Sequence, residues 1–282
     1  SLYELNNDIK SVLKAGFSAG IWIHAEISSI SVQRVGHCYI ELIEKDENTG
    51  SIVAKSRANI WSHTYKLISS YFFEETGKTL SVGMKVAFCV DVTFHEVYGI
   101  SLNVSDIDPA YTLGESARRK AMVIKKLEED GIIDMNKLLS IKPLLKNIAV
   151  ISAEGAAGYG DFIHQLSNNK YGYQYNVTLF NSLMQGEKAE DSILLSLDKV
   201  LERLSEFDVL VVIRGGGATS DLDCFDGYNI SASIAQFPLP VLTGIGHTRD
   251  VSVVDMVANM PLKTPTAVAE FIIGHTRTLE EK

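Results

Sequence analysis

Residues 208–221 read DVLVVIRGGGATSD: an apolar run passes without interruption into a polar, Gly-rich turn. A short unbroken apolar run bounded by turn residues predicts a strand buried on both faces, as in a parallel sheet. The pattern occurs twice more. IAVIS (148–152) precedes AEGAAGYGD (153–161), and PVLT (240–243) precedes GIGHTRD (244–250). In open α/β sheets the loops after the carboxyl ends of the strands meet at one crevice, and ligands bind there. The three loops are therefore expected to bring Asp161, Arg214, His247 and Asp250 towards one place. A cation, an imidazole, two carboxylates and a bank of Gly amides suit phosphate chemistry.

Each loop has its own chemistry. Gly215, Gly216 and Gly217 allow close approach of the backbone to a ligand, and their successive amides can cradle an anion. Arg214 adds a fork of donors matched to phosphate oxygens. No GK[ST] follows, so the loop is not a Walker A sequence. GIGHTRD starts like a dinucleotide fingerprint but has Arg249 where the third Gly would stand. His247 is a candidate general acid or base. Asp250 is placed to orient it or to accept from Arg249, a further phosphate contact. In AEGAAGYGD, Asp161 is either a functional carboxylate or a helix N-cap. Asp221, Asp223 and Asp226, with Asp161 and Asp250, could hold a Mg²⁺, a hard cation that takes oxygen ligands.

Around these loops the pattern is α/β. Strands are predicted at 147–152, 175–180, 207–213 and 240–244. Helices are predicted near 161–168, 189–204, 226–235, 250–258 and 266–273, the last with Thr264 as cap and Pro265 in its first turn. A helix over 111–130, opened by Glu115 and Ser116 and closed by Gly131, is expected to bridge two halves of the chain.

The N-terminal half has a different texture. After a short amphipathic helix over 2–14 come IWIHAEIS, HCYIELIE, SIVAKSRANIW, KVAFCVDVTFH and GISLNVSDID. Several alternate apolar with polar, the period of a half-buried strand. EVYG (96–99) reads as a hairpin turn. Residues 62–80, between the third and fourth strands, have helical spacing. Five strands with a helix before the fourth is the element order of an OB-fold barrel. Such barrels grip single-stranded nucleic acid through surface aromatics and a basic groove. Trp61, Tyr65, Phe94 and Tyr98 are candidate stacking residues, with Lys55 and Arg57 as phosphate contacts. The alternative is that these side chains pack the barrel or its ends. The expected organisation is an N-terminal all-β barrel domain over 1–110, a helical linker over 111–146, and an α/β domain with a mostly parallel sheet over 147–282.

Composition sets limits. The chain has 282 residues, 46% of them hydrophobic and 22% charged, as in soluble globular proteins. No apolar stretch approaches the roughly 20 residues that span a bilayer, and no signal-peptide pattern opens the chain. Cys38, Cys89 and Cys224 are too few and too scattered for a disulfide framework or a zinc site. A cytoplasmic location is expected. The net charge of −9 argues against a generally basic nucleic-acid binder, so any phosphate-binding surface must be local.

Taken together, these stretches resemble the exodeoxyribonuclease VII large-subunit family. The match runs through ELNNDIKSVL, IWIHAEIS and GHCYIELIE, then RGGG with Phe225 downstream, GIGHTRD with Asp255, and TPTAVAE. The resemblance implies exonucleolytic degradation of single-stranded DNA from both ends. It implies that Asp161, Arg214, His247 and Asp250 occupy the family's catalytic positions. It also implies a multi-subunit complex in which a long C-terminal helical region, expected beyond Lys282, binds small subunits. The chain is then expected to be a truncated form. Because some family members work without a divalent metal, Mg²⁺ is possible but not required. The competing functions are a non-catalytic single-strand binding and assembly module, and an enzyme using a free nucleotide in the crevice.

Overall fold

The computed structural model describes residues 1–17, 19–46, 49–186, 188–215, 222–246 and 251–281. The chain divides into two compact units, Ser1–Arg118 and Arg119–Lys282.

In the first unit, α1 (Leu2–Gly16) is followed by β1 (Ile21–Val32), β2 (Cys38–Lys45), β3 (Ile52–Ile60), α2 (Ser62–Thr76), β4 (Lys85–His95) and β5 (Gly99–Asp108). The five strands close into a barrel in the order β1-β2-β3-β5-β4, antiparallel except for β3 against β5. This is the OB-fold expected from the element order. β1 serves two partners. Its first half pairs with β4 (Trp22 with Cys89) and its second with β2 (Ile30 with Ile40). The register shifts between Ile27 and Ser29, and such a bulge turns a strand around a corner. Alternation then sends Ile27, Ile40, Leu42, Ala58, Ile60, Phe88, Val90 and Val104 inward. α2 adds the fully buried Phe72 to the same core and stops at Gly77, whose φ of 68° suits the left-handed cap.

α3 (Pro109–Glu129) runs across the boundary of the two units. It starts six residues before Glu115, the opening expected from the sequence. Pro109 is preset for a first helical position, and the Asp108 carboxylate accepts from the Ala110 amide (3.0 Å). Residues 119–146, expected between the domains, pack within the second unit. Leu127 and Leu145 are buried there. The buried Asn136 side chain donates to the Phe237 and Leu239 carbonyls and accepts from the Val241 and Asn259 amides.

The second unit continues with β6 (Asn147–Ser152), α4 (Ala157–Ser167), β7 (Asn176–Asn181), α5 (Ala189–Glu202), β8 (Val209–Ile213), α6 (Tyr228–Ala235), β9 (Val241–Gly244), α7 (Val253–Val257), β10 (Met260–Pro261) and α8 (Pro265–Glu280). All paired strands are parallel, in the order β10-β9-β8-β6-β7. β6, β8 and β9 are buried nearly end to end, which explains why their sequences run apolar rather than alternate. The two-residue β10 was not foreseen, being too short to carry a pattern. From β6 the chain goes to β7 on one side and then returns to β8 on the other. The winding therefore reverses between β6 and β8, where open α/β sheets form their binding crevice.

Candidate functional site

The loops that leave β6 and β8 are in backbone contact. A Cβ placed on Gly158 would lie 2.8 Å from Gly215 Cα, 2.9 Å from the Arg214 carbonyl oxygen and 2.9 Å from Pro265 Cγ. One on Gly215 would lie 3.1 Å from Ala156 Cβ. Only hydrogen fits at Gly158. The start of α4 is thereby pressed onto Arg214–Gly215, and Pro265, in the first turn of α8, closes over the same point. Thr264 caps α8 by accepting from the Ala267 amide (3.1 Å). That local chemistry is the physical content of TPTAVAE. α4 has no side-chain cap, since Ala156 stands at the N-cap position. Its first amides thus receive no acceptor from the N-cap side chain, at the end of the helix that favours anions.

Asp161 is not the N-cap of α4; Ala156 is. α4 begins at Ala157, four residues earlier, because the Gly158 contact fixes its first turn. Asp161 lies exposed within α4, three residues on from Gly158.

A cavity of about 440 Å³ opens at the carboxyl ends of β6, β7 and β8. Its lining is Ala153, Gly155, Ala156 and Ala157 from the first loop, Leu183, Met184 and Gln185 after β7, and Arg214 with Gly215 after β8. Arg214, only 6% exposed, is the charged member of that lining among the described residues. Its amide donates to the Gly244 carbonyl (3.2 Å), joining the ends of β8 and β9. The second and third loops therefore start side by side, as expected from the sequence. Gly216, Gly217, Asp221, His247, Arg249 and Asp250 lie outside the described residues.

The segment that follows His247 and Asp250 is anchored by two acids. Asp255, 6% exposed, accepts from the Thr243 hydroxyl (2.6 Å), the Ser252 hydroxyl (2.8 Å) and the Ser252 amide (3.1 Å). It ties the end of β9 to the cap of α7. Asp226 accepts from the Val253 amide (2.8 Å) and lies 3.4 Å from Lys120 Nζ. Lys120 in turn donates to the Val251 carbonyl. Burial pushes the Asp226 carboxyl above its ordinary value, against the pull of the Val253 amide and Lys120. Asp226 is thus engaged in holding backbone, while Asp223 is exposed in the turn before it. Among the described residues no group of three or more His, Cys, Asp or Glu side chains is arranged to hold a metal ion.

On the barrel, the predicted nucleic-acid residues divide. Trp61 is 47% exposed and meets the His37 ring edge-on at 5.0 Å, while Tyr98 is 78% exposed at the β4–β5 hairpin beside His95. Both leave ring surface open to solvent. Tyr65 packs partly buried against the barrel core, and Phe94 is half-buried. Arg57 and Lys55 are exposed on β3, but both neighbour Glu41. Hydrogen bonds from Lys55 and Ser28 hold the Glu41 carboxyl below the usual range. Sequence reasoning passed over Trp22 (51% exposed) and Tyr39 (42% exposed), outward-facing aromatics on β1 and β2. The buried Cys38 and Ile40 on either side of Tyr39 were the available signal. Gly158 and Leu183–Gln185 were also passed over, and Pro265, expected only as the start of a helix, also packs against Gly158.

Comparison with known proteins gives consistent results for both units. Residues 132–282 match the family model described as exonuclease VII, large subunit, and residues 1–108 match an OB-fold nucleic acid binding domain. The exodeoxyribonuclease 7 large subunit of Deinococcus radiodurans is 35% identical over 278 residues, covering 96% of this chain and 66% of that protein. Those of a Cyanothece species and of Campylobacter lari are 32% and 28% identical, with 90% and 99% of this chain and 56% and 67% of theirs covered. The chain spans between 56% and 67% of the length of these three curated relatives.

Proposed function

The chain belongs to the exonuclease VII large-subunit family, and on that premise we propose that it hydrolyses phosphodiester bonds of single-stranded DNA from either end, as the catalytic subunit of a multi-subunit complex. The observation that carries this reading is the buried Arg214 at the rim of a cavity formed where the parallel sheet reverses its winding.

Arg214 and the amides of Gly215, Gly216 and Gly217 stabilise negative charge as it grows on the phosphoryl oxygens, with Arg249 as a further phosphate contact. A single preorganised donor of this kind is worth about 2.7–4 kcal/mol in the transition state. His247 activates water or protonates the leaving oxygen, Asp250 orients His247, and Asp161 positions water. Burial of Arg214 favours this role, because a cation already withdrawn from bulk water reorganises less as charge develops. The barrel holds the single strand on Trp61 and Tyr98, with Arg57, Tyr65 and Phe94 at the margins of that surface. No helix among the described residues is long and apolar enough to cross a membrane. The proposed setting is the cytoplasm, with small subunits as partners.

The direct test is digestion of end-labelled single-stranded DNA by the full-length complex, with and without chelator. Wild type should release labelled fragments, and His247→Ala and Arg214→Ala should each slow release by orders of magnitude. Wild-type rates in both variants, with DNA binding retained, would reduce the protein to a binding and assembly module.

A further inference from the structure

The cavity beside Arg214 has a second wall of a different chemical kind. Strand order places the end of β6 between those of β8 and β7, so the lining runs from Arg214 across the small residues 153–157 to Leu183, Met184 and Gln185. Two strand spacings set that distance at about 10 Å. The described residues of the far wall, Leu183, Met184 and Gln185, are uncharged. Met184 is buried at 5% exposure, whereas Leu183 leaves 54% of its surface open, and Gln185 is exposed.

This wall is fixed without a ligand. The Ser182 amide donates to the Ser152 carbonyl (2.9 Å), and the Leu183 amide donates to Ser192 Oγ (3.0 Å). The Ser182 and Ser192 hydroxyls are 3.1 Å apart, and the Ser196 hydroxyl donates to that of Ser182 (3.3 Å). The Glu154 amide donates to Asn181 Oδ1 (3.0 Å), linking the first loop to the end of β7. An exposed leucine on a braced backbone is a preorganised apolar surface, and such surfaces bind without a large ordering cost. A volume of about 440 Å³ falls within the range of small-ligand pockets.

We propose that this cavity is a nucleoside subsite: the base flanking the phosphate on Arg214 lies against Leu183 and Met184, and the Gln185 amide meets its edge. The assignment rests on the reading of Arg214 and Gly215 as the phosphate site. A neutral, flat, polar-edged base suits Leu183, Met184 and the Gln185 amide, and its attached phosphate suits the Arg214 guanidinium. A carboxamide offers both a donor and an acceptor, so Gln185 can serve more than one base.

The test is calorimetric titration of the chain with thymidine 5′-monophosphate and, separately, with deoxyribose 5-phosphate, which lacks the base. The nucleotide should bind the tighter. Leu183→Ser and Gln185→Ala should each weaken it by roughly tenfold and leave deoxyribose phosphate unchanged, while Arg214→Ala weakens both. Leu183 is exposed, so its replacement leaves the core intact, and an unchanged melting temperature verifies this. Equal affinity for the two probes, no binding of either, or nucleotide affinity indifferent to both wall variants would overturn the subsite. Wall-dependent nucleotide binding in a complex that leaves DNA intact would sustain the subsite and defeat the nuclease reading. DNA hydrolysis with indifferent wall variants would do the reverse.

Discussion

The barrel and the parallel sheet each have five strands, yet they deploy chemistry in opposite ways. The barrel strands are 8–12 residues long and have one wet face. Its candidate contacts, such as Tyr39 and Arg57, stand on the strands themselves or, like Trp61 and Tyr98, at their ends. The parallel strands are 2–6 residues long, and the three central ones, β6, β8 and β9, are covered on both faces. Among the described candidate groups, Arg214 and Gly215 sit beyond the carboxyl end of β8, where Gly215 lies against the backbone of Gly158 and the Ala156 side chain. A barrel contact can therefore change alone. A group at the end of the parallel sheet is shared among several elements, and its loss should be felt as a whole.

The largest effect that bears on this contrast is expected at Arg214. Arg214→Ala should lower kcat by about 10²–10³, measured in single-turnover digestion, with single-strand affinity kept within about twofold. Arg214→Lys should recover only part, because an ammonium lacks the planar fork. A parallel loss of affinity would break the division of labour between the units. Next comes Gly158→Val. Its neighbours are the backbone of residues 214–215 and a proline ring, so overpacking should cost about 1–3 kcal/mol in urea unfolding. Tyr39→Ala on the open barrel face should stay within about 0.5 kcal/mol. Equal costs would show that the α4–Arg214 contact yields as readily as a surface.

Third, Trp61→Ala and Tyr98→Ala should each weaken oligonucleotide binding by about 1–3 kcal/mol in fluorescence titration, with kcat unchanged at saturating DNA. The smallest effect concerns two acids of the second unit that are shifted in opposite directions. Burial pushes Asp208 up, but Lys142 and the Asn147 and Lys146 amides outweigh it, and its carboxyl ends below the ordinary value. A depressed pKa contributes stability above the unfolded value, near pH 4, that fades as pH falls through the folded value. Asp208→Asn should thus cost on the order of 1 kcal/mol at pH 7 and less with acidification. Asp226, raised by burial, contributes in the opposite sense, with most stability below pH 4 and less as pH rises through its folded value. Thermal melts of Asp208→Asn and Asp226→Asn across pH 3–8 should therefore diverge from wild type in opposite directions with pH.

How much was legible in the sequence follows the same division. Alternation in HCYIELIE and KVAFCVDVTFH exposes the barrel, because each residue's face is set by its own position. Apolar runs followed by Gly-rich turns expose β6, β8 and β9, and the ends of β8 and β9 lie side by side at Arg214 and Gly244. The start of α3 was misplaced because its signal is the pair Asp108–Pro109 rather than the later acidic and hydroxyl residues. The α4 start was misplaced for a different reason. Gly158 looks like any small residue until Gly215 and Pro265, distant in sequence, are brought against it. Leu183–Gln185 carry no motif at all; strand order alone brings them beside Arg214.

The three glycines at 158, 215 and 244 have a practical consequence. A methyl on Gly244 would lie 2.8 Å from Val268 Cγ2, much as one on Gly158 would strike Gly215. In a saturation-mutagenesis screen scored by growth, Gly158 and Gly244 should reject nearly every replacement, as a reacting group would. Soluble protein yield, recorded for the same library, separates the two kinds of intolerance. Residues that transfer protons leave abundant silent protein when replaced, whereas replacing these spacers lowers the yield of folded protein.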